Sequence, residues 1–352
     1  MRLYGFRLYY GLVLRHYLIR FFLCVISMSE SSPLSNPVRV YYVSSGIIGA
    51  PILDALRSDG RIELVGVGSQ PDRPVGRKQV LSPTAFARYA LDQGVQVDRI
   101  SSVNTPEFLD RMRAVGIEML VVVAFGQLLR QDILSLPTYG CLNVHASLLP
   151  KYRGASPIAA SILNGDAETG VSFMRMDAGL DTGPVYRMVS TAIQPAENAG
   201  ELEVRLGGLA ASGIGDVIWA VAREGLEAVP QAQGDYKNVR KISKYDGAVD
   251  WSASAVRISN MVRAYQPWPR AYTYVPVQGK MRRIQITAAT AENSTCPSTN
   301  VGQVLPDNPD NLCVACGSGV LHIHRVIPEG KKEMSAADFL RGTPVMPGSM
   351  LE

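Results

Sequence analysis

The sequence has 352 residues, with 35 Lys and Arg against 31 Asp and Glu, a formal net charge of +4. Only 19% of residues are charged and 47% are hydrophobic, which excludes a disordered chain, and the length fits two domains better than one. Five cysteines, an odd number scattered through a long chain, argue against a disulfide framework and for a reducing compartment.

Residues 1–37 read as an N-terminal extension. The first 28 carry Arg2, Arg7, Arg15 and Arg20 with no acid, followed by the apolar stretch Phe21 to Met28. That stretch falls short of the ~18–20 residues of a membrane span. Three readings fit: a secretory signal, an Arg-rich organellar transit peptide, or translation read from too early a start, with Met28 opening the working chain. We prefer the third, and a cytoplasmic protein with it.

From Val38 onward, short apolar strands alternate with capped helices. Val38 to Val43 is β-branched and aromatic, as a strand should be, and Ser44-Ser45-Gly46 ends it. A helix starts near Pro51 and stops near Gly60, and Ile62 to Val67 reads as the next strand. Ser82-Pro83 and Thr105-Pro106 each supply an N-cap followed by proline at the first helical position, with stops at Gly94 and Gly116. Met119 to Val123 is a continuous apolar run, as expected for a strand covered on both faces. Strands at Leu142 to Ala146, Val171 to Met176 and Val185 to Val189 follow. The alternation predicts an α/β fold over 38–225, a doubly wound, mostly parallel sheet. Gly46-Ile-Ile-Gly49 lacks the first glycine of the dinucleotide fingerprint, so nicotinamide binding is set aside.

Residues 226–246 are polar and unpatterned, and read as a basic linker carrying Lys237, Arg240, Lys241 and Lys244 with no acid between them. Beyond it, over 247–352, come a helix near 253–265 and short β segments at 271–277, 282–287, 302–305, 312–316 and 320–326. They predict a small C-terminal β-barrel, OB-like, or a sandwich. Charge is laid out unevenly over these parts. Residues 1–37 hold four basic and one acidic side chain, residues 38–235 hold 17 and 21, and residues 236–352 hold 14 and 9. A basic tail domain on an acidic first domain is a partner signal.

Asn143 and His145 lie two residues apart on one predicted strand and so share a face. The strand stops just after them, at the carboxyl edge where such sheets bind ligands. Asp177 and Asp181 follow in a glycine-rich loop. Asp177 suits a turn, while Asp181 reads equally as a turn or as the partner of an imidazole. Ser156-Pro157 starts a helix whose positive end would lie near the loop after His145, a fitting place for an oxyanion. Cys313-x-x-Cys316 with His322-x-His324 offers four zinc-type ligands, but it reads better as a hairpin around Gly-Ser-Gly. Leu-Asp-Thr-Gly at 180–183 has the aspartic-protease triplet in a context that contradicts an all-β protease.

NVHASLLPKYRGASPI (143–158) and GDAETGVSFMRMDAGLDTG (165–183) resemble the folate-dependent formyltransferases. So do SQPDRPVGR (69–77), VVVAFGQLL (121–129), VDWSASAVRISNMVRAYQPWPRAYT (249–273) and GKKEMSAADFLRG (330–342), and the resemblance spans about residues 38–350. It implies formyl transfer from 10-formyltetrahydrofolate, without a metal, to the α-amino group of initiator methionyl-tRNA by a monomer with no membrane partner. Asn143, His145 and Asp181 match the catalytic trio. Ser147, Leu148, Leu149, Pro150, Phe125, Gly126 and Gln127 match the folate-binding segments. Arg73, Arg77, Lys78, Arg153, Lys237, Arg240, Lys241 and Lys244 would meet tRNA. Two features depart from the family. The first turn replaces its usual Gly-Thr-Pro, and the loop from Arg73 to Leu81 looks about two residues short. A small-amine substrate, or RNA binding without catalysis, are the competing readings; the separate basic domain disfavours the first and the intact trio the second.

Overall fold

Runs of buried β-branched and aromatic residues build the first half of the chain. The computed structural model describes residues 36–352 except 77–78, 235, 237, 294–299, 307–311 and 344. Residues 1–35 of the extension, with Arg77, Lys78 and Lys237, therefore lie outside the described residues. In chain order the elements are β1 (Val38–Ser44), α1 (Gly49–Ser58), β2 (Ile62–Ser69), β3 (Arg73–Val75), β4 (Val80–Ser82), α2 (Ala85–Asp92) and β5 (Asp98–Arg99). Next come α3 (Pro106–Ala114), β6 (Met119–Val123), α4 (Gln131–Leu134), β7 (Cys141–His145), α5 (Pro157–Leu163), β8 (Glu168–Arg175), β9 (Val185–Ala192) and α6 (Ala199–Trp219).

Seven strands form one sheet in the order β5-β2-β1-β6-β7-β8-β9. Alternate residues of the central strands feed two cores on opposite faces. Val40, Tyr42, Val121, Val123, Leu142 and Val144 pack with Ile52 of α1 and Leu206 of α6. Tyr41, Val43, Leu120 and Val122 pack with Phe108, Met112 and Ile133. Pairing is parallel from β5 through β7 and antiparallel at β7–β8 and β8–β9. Only β8 is therefore reversed, since β9 points the same way as β7, and the sheet is mostly parallel as expected. The antiparallel β8–β9 pairing follows from the short loop between them, since a parallel return needs a crossover of a dozen or more residues. Strand order reverses between β1 and β6, which places the ligand crevice of such a sheet at their carboxyl ends.

Local signals set most boundaries. Thr105 caps α3 as its sequence predicts, accepting from Phe108 N at 3.3 Å. Thr84, not Ser82, caps α2, accepting from Ala87 N at 3.0 Å. Ser82 is already paired with Arg73 in the β3–β4 hairpin. Asn198 and Glu201 form a reciprocal capping box at the start of α6. Ser156 precedes α5 but makes no side-chain cap bond. By length and composition, Ala199–Glu224 is long and apolar enough to cross a membrane. Leu202, Leu206, Ala210, Ile214 and Val217 on that helix are nevertheless buried in the sheet's core.

The segment expected to be a linker is held against the first sheet. Val229 exchanges both backbone hydrogen bonds with Val185, at 2.8 and 2.9 Å, and Val239 bridges to Gly154. The second half then adds α7 (Ala255–Ala264), β10 (Ala271–Val277), β11 (Lys280–Glu292), β12 (Leu312–Ala315), β13 (Val320–Pro328), β14 (Met334–Ser335) and α8 (Ala336–Gly342). Its antiparallel sheet, β10-β11-β13-β12 with β14 beside β13, is bent by register shifts at Ile286/Ala288 and Ala288/Ala289. The curled sheet closes over Ile258 and Val262 of α7 and Phe339 of α8. The strand expected at 302–305 is reduced to single bridges, Val304 to Val314 and Gln303 to Met350.

Candidate active site

β7 carries Asn143 and His145 to the carboxyl edge of the sheet, 8% and 6% exposed, while Val144 between them turns into the core. Asp181 arrives from the β8–β9 loop, in left-handed backbone at φ 53°. Its carboxylate lies between the other two. Asn143 Nδ2 donates to Asp181 Oδ1 at 3.3 Å, and His145 Nδ1 stands 3.6 Å from Asp181 Oδ2. The backbone N–H of Gly154 donates to that same Oδ2 at 2.8 Å.

The hydrogen-bond network assigns the imidazole tautomer. His145 Nε2 lies 2.9 Å from the carbonyl oxygen of Tyr152. A carbonyl only accepts, so Nε2 carries the hydrogen and Nδ1, facing the carboxylate, is the nitrogen that takes up a proton. Tyr152 is itself held. Its hydroxyl donates to Asp166 Oδ2 at 2.8 Å and accepts from Asn164 Nδ2 at 3.1 Å. The separation of 3.6 Å is longer than a direct hydrogen bond and within reach of an ion pair. Cys141, at the start of β7, is not a competing nucleophile, because burial pushes its thiol up to about 12.

The segments matched to folate flank this trio. Ala124 to Gln127 forms the turn after β6, with Ala124 at φ 45° and Gly126 at φ 74°. Phe125 is buried in the core and its carbonyl accepts from Gln70 Nε2 at 2.5 Å. Gln127 ties the turn sideways, accepting from Val103 N at 3.0 Å and donating to Ser101 O at 3.1 Å. After β7 the loop fastens itself. Ser147 Oγ donates to Lys151 O at 2.6 Å, and Ser172 Oγ donates to Ser147 O and accepts from Leu149 N. Leu149 is buried with Met174 and Val185, Leu148 is half-buried, and Pro150 follows. The side chains of Ser147 and Leu149 thus hold the loop's shape and do not project from it.

The cations matched to tRNA are dispersed. Arg73 is exposed on the β3–β4 hairpin and donates to Gln70 Oε1 at 2.7 Å. Arg240 pairs with Asp246, which its guanidinium holds well below the usual carboxylate range. Lys241 and Lys244 are exposed, with Lys244 Nζ 4.7 Å above the Tyr245 ring. Arg153 is half-buried and bonded within the protein, both Nε and Nη2 donating to Gln231 Oε1 at 3.0 and 2.7 Å.

Sequence reasoning missed several parts of the centre: the Tyr152 carbonyl, the Gly154 N–H, Gln70, Gln231 and Glu203. Gln231 Nε2 donates to the carbonyls of Asp181 and Gly183, each at 2.8 Å. Glu203 of α6 reaches the β1–α1 turn at the strand-order reversal, accepting from Ile48 N at 3.4 Å, and burial pushes its carboxyl up. Far from this centre, Cys313 and His322 face each other across β12 and β13, Sγ 3.3 Å from Nδ1, and His322 Nε2 meets Glu292 at 2.9 Å. Cys316 turns into the core on the other face and His324 bonds Thr290, so these four side chains do not converge.

Residues 38–218 match the family model described as formyl transferase, and residues 241–344 the one described as formyl transferase, C-terminal domain. The chain is 40% identical to the methionyl-tRNA formyltransferase of Myxococcus xanthus, over 82% of this chain and 90% of that one. It is 39% identical to the methionyl-tRNA formyltransferase of Citrifermentans bemidjiense, over 89% and 96%. Among solved structures it is similar in fold to WlaRD, a sugar 3N-formyl transferase, at 15% identity and TM-score 0.58, over 85% of this chain and 100% of that one. HypX from Aquifex aeolicus, solved with tetrahydrofolic acid, aligns at 14% identity and TM-score 0.57 over 86% of this chain and 46% of its own.

Proposed function

The chain belongs to the formyl transferase family, and from that premise we propose that it formylates the α-amino group of initiator methionyl-tRNA from 10-formyltetrahydrofolate. The observation that carries the reading is the meeting of three side chains at the carboxyl end of β7, with Asp181 3.3 Å from Asn143 and 3.6 Å from His145. An amide donor, an imidazole and a carboxylate in that arrangement suit acyl transfer. The folate is assigned to the neighbouring turn of Phe125, Gly126 and Gln127, which resembles the family's folate-pocket segment. Bound there, the folate supplies the formyl group and, as N10, the leaving nitrogen.

Each residue then has a defined task. The amine attacks the formyl carbon, and negative charge gathers on the formyl oxygen. Asn143 gives up its long 3.3 Å bond to Asp181 and donates Nδ2 to that oxygen. His145 Nδ1 accepts the proton the amine loses, and the Asp181 carboxylate beside it stabilises the imidazolium so formed. The imidazolium, held by Asp181, then returns that proton to N10 as the carbon–nitrogen bond breaks. The reading carries with it a monomer in the cytoplasm, the compartment being in line with its bacterial relatives.

The test is incubation with methionyl-tRNA and 10-formyltetrahydrofolate, followed by mass analysis of the released amino acid. Formylmethionine is the expected product; formylation of a small amine in its place would overturn the reading. Exposed Lys241 and Lys244 are assigned to phosphates, which position RNA without reading bases. The double variant Lys241→Ala/Lys244→Ala should bind tRNA more weakly and lower the slope of log affinity against log salt by about 1 per lost contact. An unchanged slope in a binding titration would remove both lysines from the interface.

A further inference from the structure

We propose that Gln231, from the segment between the two sheets, is a positioning residue for Asp181, with Arg153 as its anchor. The inference rests on the catalytic reading of Asp181 and extends it to a residue outside the reacting trio.

The amide of Gln231 has one acceptor oxygen and two N–H donors, and the structure uses them all. Oε1 accepts twice from Arg153, at 3.0 and 2.7 Å. Nε2 donates to the carbonyl oxygens of Asp181 and Gly183, both at 2.8 Å. No polar capacity is left over for a substrate, so Gln231 acts through what it holds. What it holds is the backbone on both sides of Thr182, at the point where a non-glycine residue sits at φ 53°. Left-handed backbone is unfavourable for an L-residue, although aspartate tolerates it better than most, and such a conformation persists only where its surroundings fix it.

The other bonds of the loop do not replace this link. Asp177 Oδ1 accepts from Gly179 N at 3.0 Å and Thr182 Oγ1 at 2.8 Å, which closes the loop tip on itself. Gly154 N holds the carboxylate but not the backbone that aims it. Arg153 is fixed in turn, with its guanidinium carbon 6.0 Å above the Tyr236 ring and its carbonyl accepting from Val239 N at 2.7 Å. The chain Val239–Arg153–Gln231–Asp181 therefore sets the carboxylate against His145 from a segment that carries none of the reacting groups.

The test compares Gln231→Met, which keeps the length without any donor, and Gln231→Glu, which keeps a partner for Arg153 but cannot donate to the two carbonyls. Both should lower kcat by about 10-fold, as small misplacements of a reacting group do, with KM for either substrate changed less than about twofold. A double-mutant cycle separates positioning from general damage. In an Asp181→Asn background, Gln231→Met should add less than about a twofold further loss. Losses that multiply in the double variant, or a raised KM at full kcat, would overturn the inference while leaving Asp181 catalytic. Asp181→Asn with wild-type turnover would overturn the site reading itself, and this inference with it. Circular dichroism and folate binding on each variant confirm that the fold is intact before rates are compared.

Discussion

Asn143→Ala should lose about 10²–10³-fold in kcat while still binding methionyl-tRNA and folate, the usual cost of removing one oxyanion donor. Asn143 is 8% exposed on a strand whose neighbouring Val144 faces the core, so shortening it removes an amide from the crevice without opening the hydrophobic interior. Its present bond, 3.3 Å to Asp181 Oδ1, is long, and so readily exchanged for a shorter one to the formyl oxygen. The loss therefore belongs to the transition state and should fall on kcat. Single-turnover rates at saturating folate measure it; a rate near wild type would remove Asn143 from the mechanism.

Gly154→Ala should be as damaging by a different route. Gly154 sits at φ 109°, and a Cβ there would lie 2.4 Å from the Val239 carbonyl oxygen and 3.2 Å from its nitrogen. Neither atom can yield freely, because Val239 N donates to Arg153 O at 2.7 Å and Val239 O accepts from Ala155 N at 2.9 Å. Relief must separate the two segments, and the Gly154 N–H then leaves Asp181 Oδ2. We expect a stability cost of about 1–3 kcal/mol from the backbone alone and a fall in kcat of about 100-fold from the displaced carboxylate. Chemical denaturation and steady-state kinetics on the one variant test both halves. Wild-type values in each would show that the loop accommodates a side chain.

The sequence spoke most clearly where physics is local. Val38 to Val43 and Met119 to Val123 could hardly be anything but buried strands, and Thr105 caps its helix by a hydroxyl three residues from its partner. The period of two along a strand was enough to put Asn143 and His145 on one face. The antiparallel pairing of β8 with β9 was less legible, since it follows from a loop length and not from any apolar pattern. Asp181 stayed open between turn and partner because its role follows from a φ of 53°, which no spacing reports. Residues 226–246 looked like a tether for a similar reason. Their bonds go singly to Val185, Gly154 and the Asp181 loop, and single bridges leave no periodicity to read. Resemblance located Ser147 and Leu149 but not the direction of their side chains, which turn inward to Lys151, Met174 and Val185.

Gln231 and Val239 follow all seven strands of the first sheet along the chain. During synthesis the sheet can emerge and close before either residue has left the ribosome, since domains generally fold amino-terminal part first. A nascent chain stopped after Gly225 would own Asn143, His145 and Asp181 yet lack the bonds from Gln231 to the Asp181 loop and from Val239 to the Arg153–Ala155 segment. On the proposed assignment, the timing of translation separates possession of the reacting groups from the full alignment of Asp181, which comes as the second half of the molecule begins to appear.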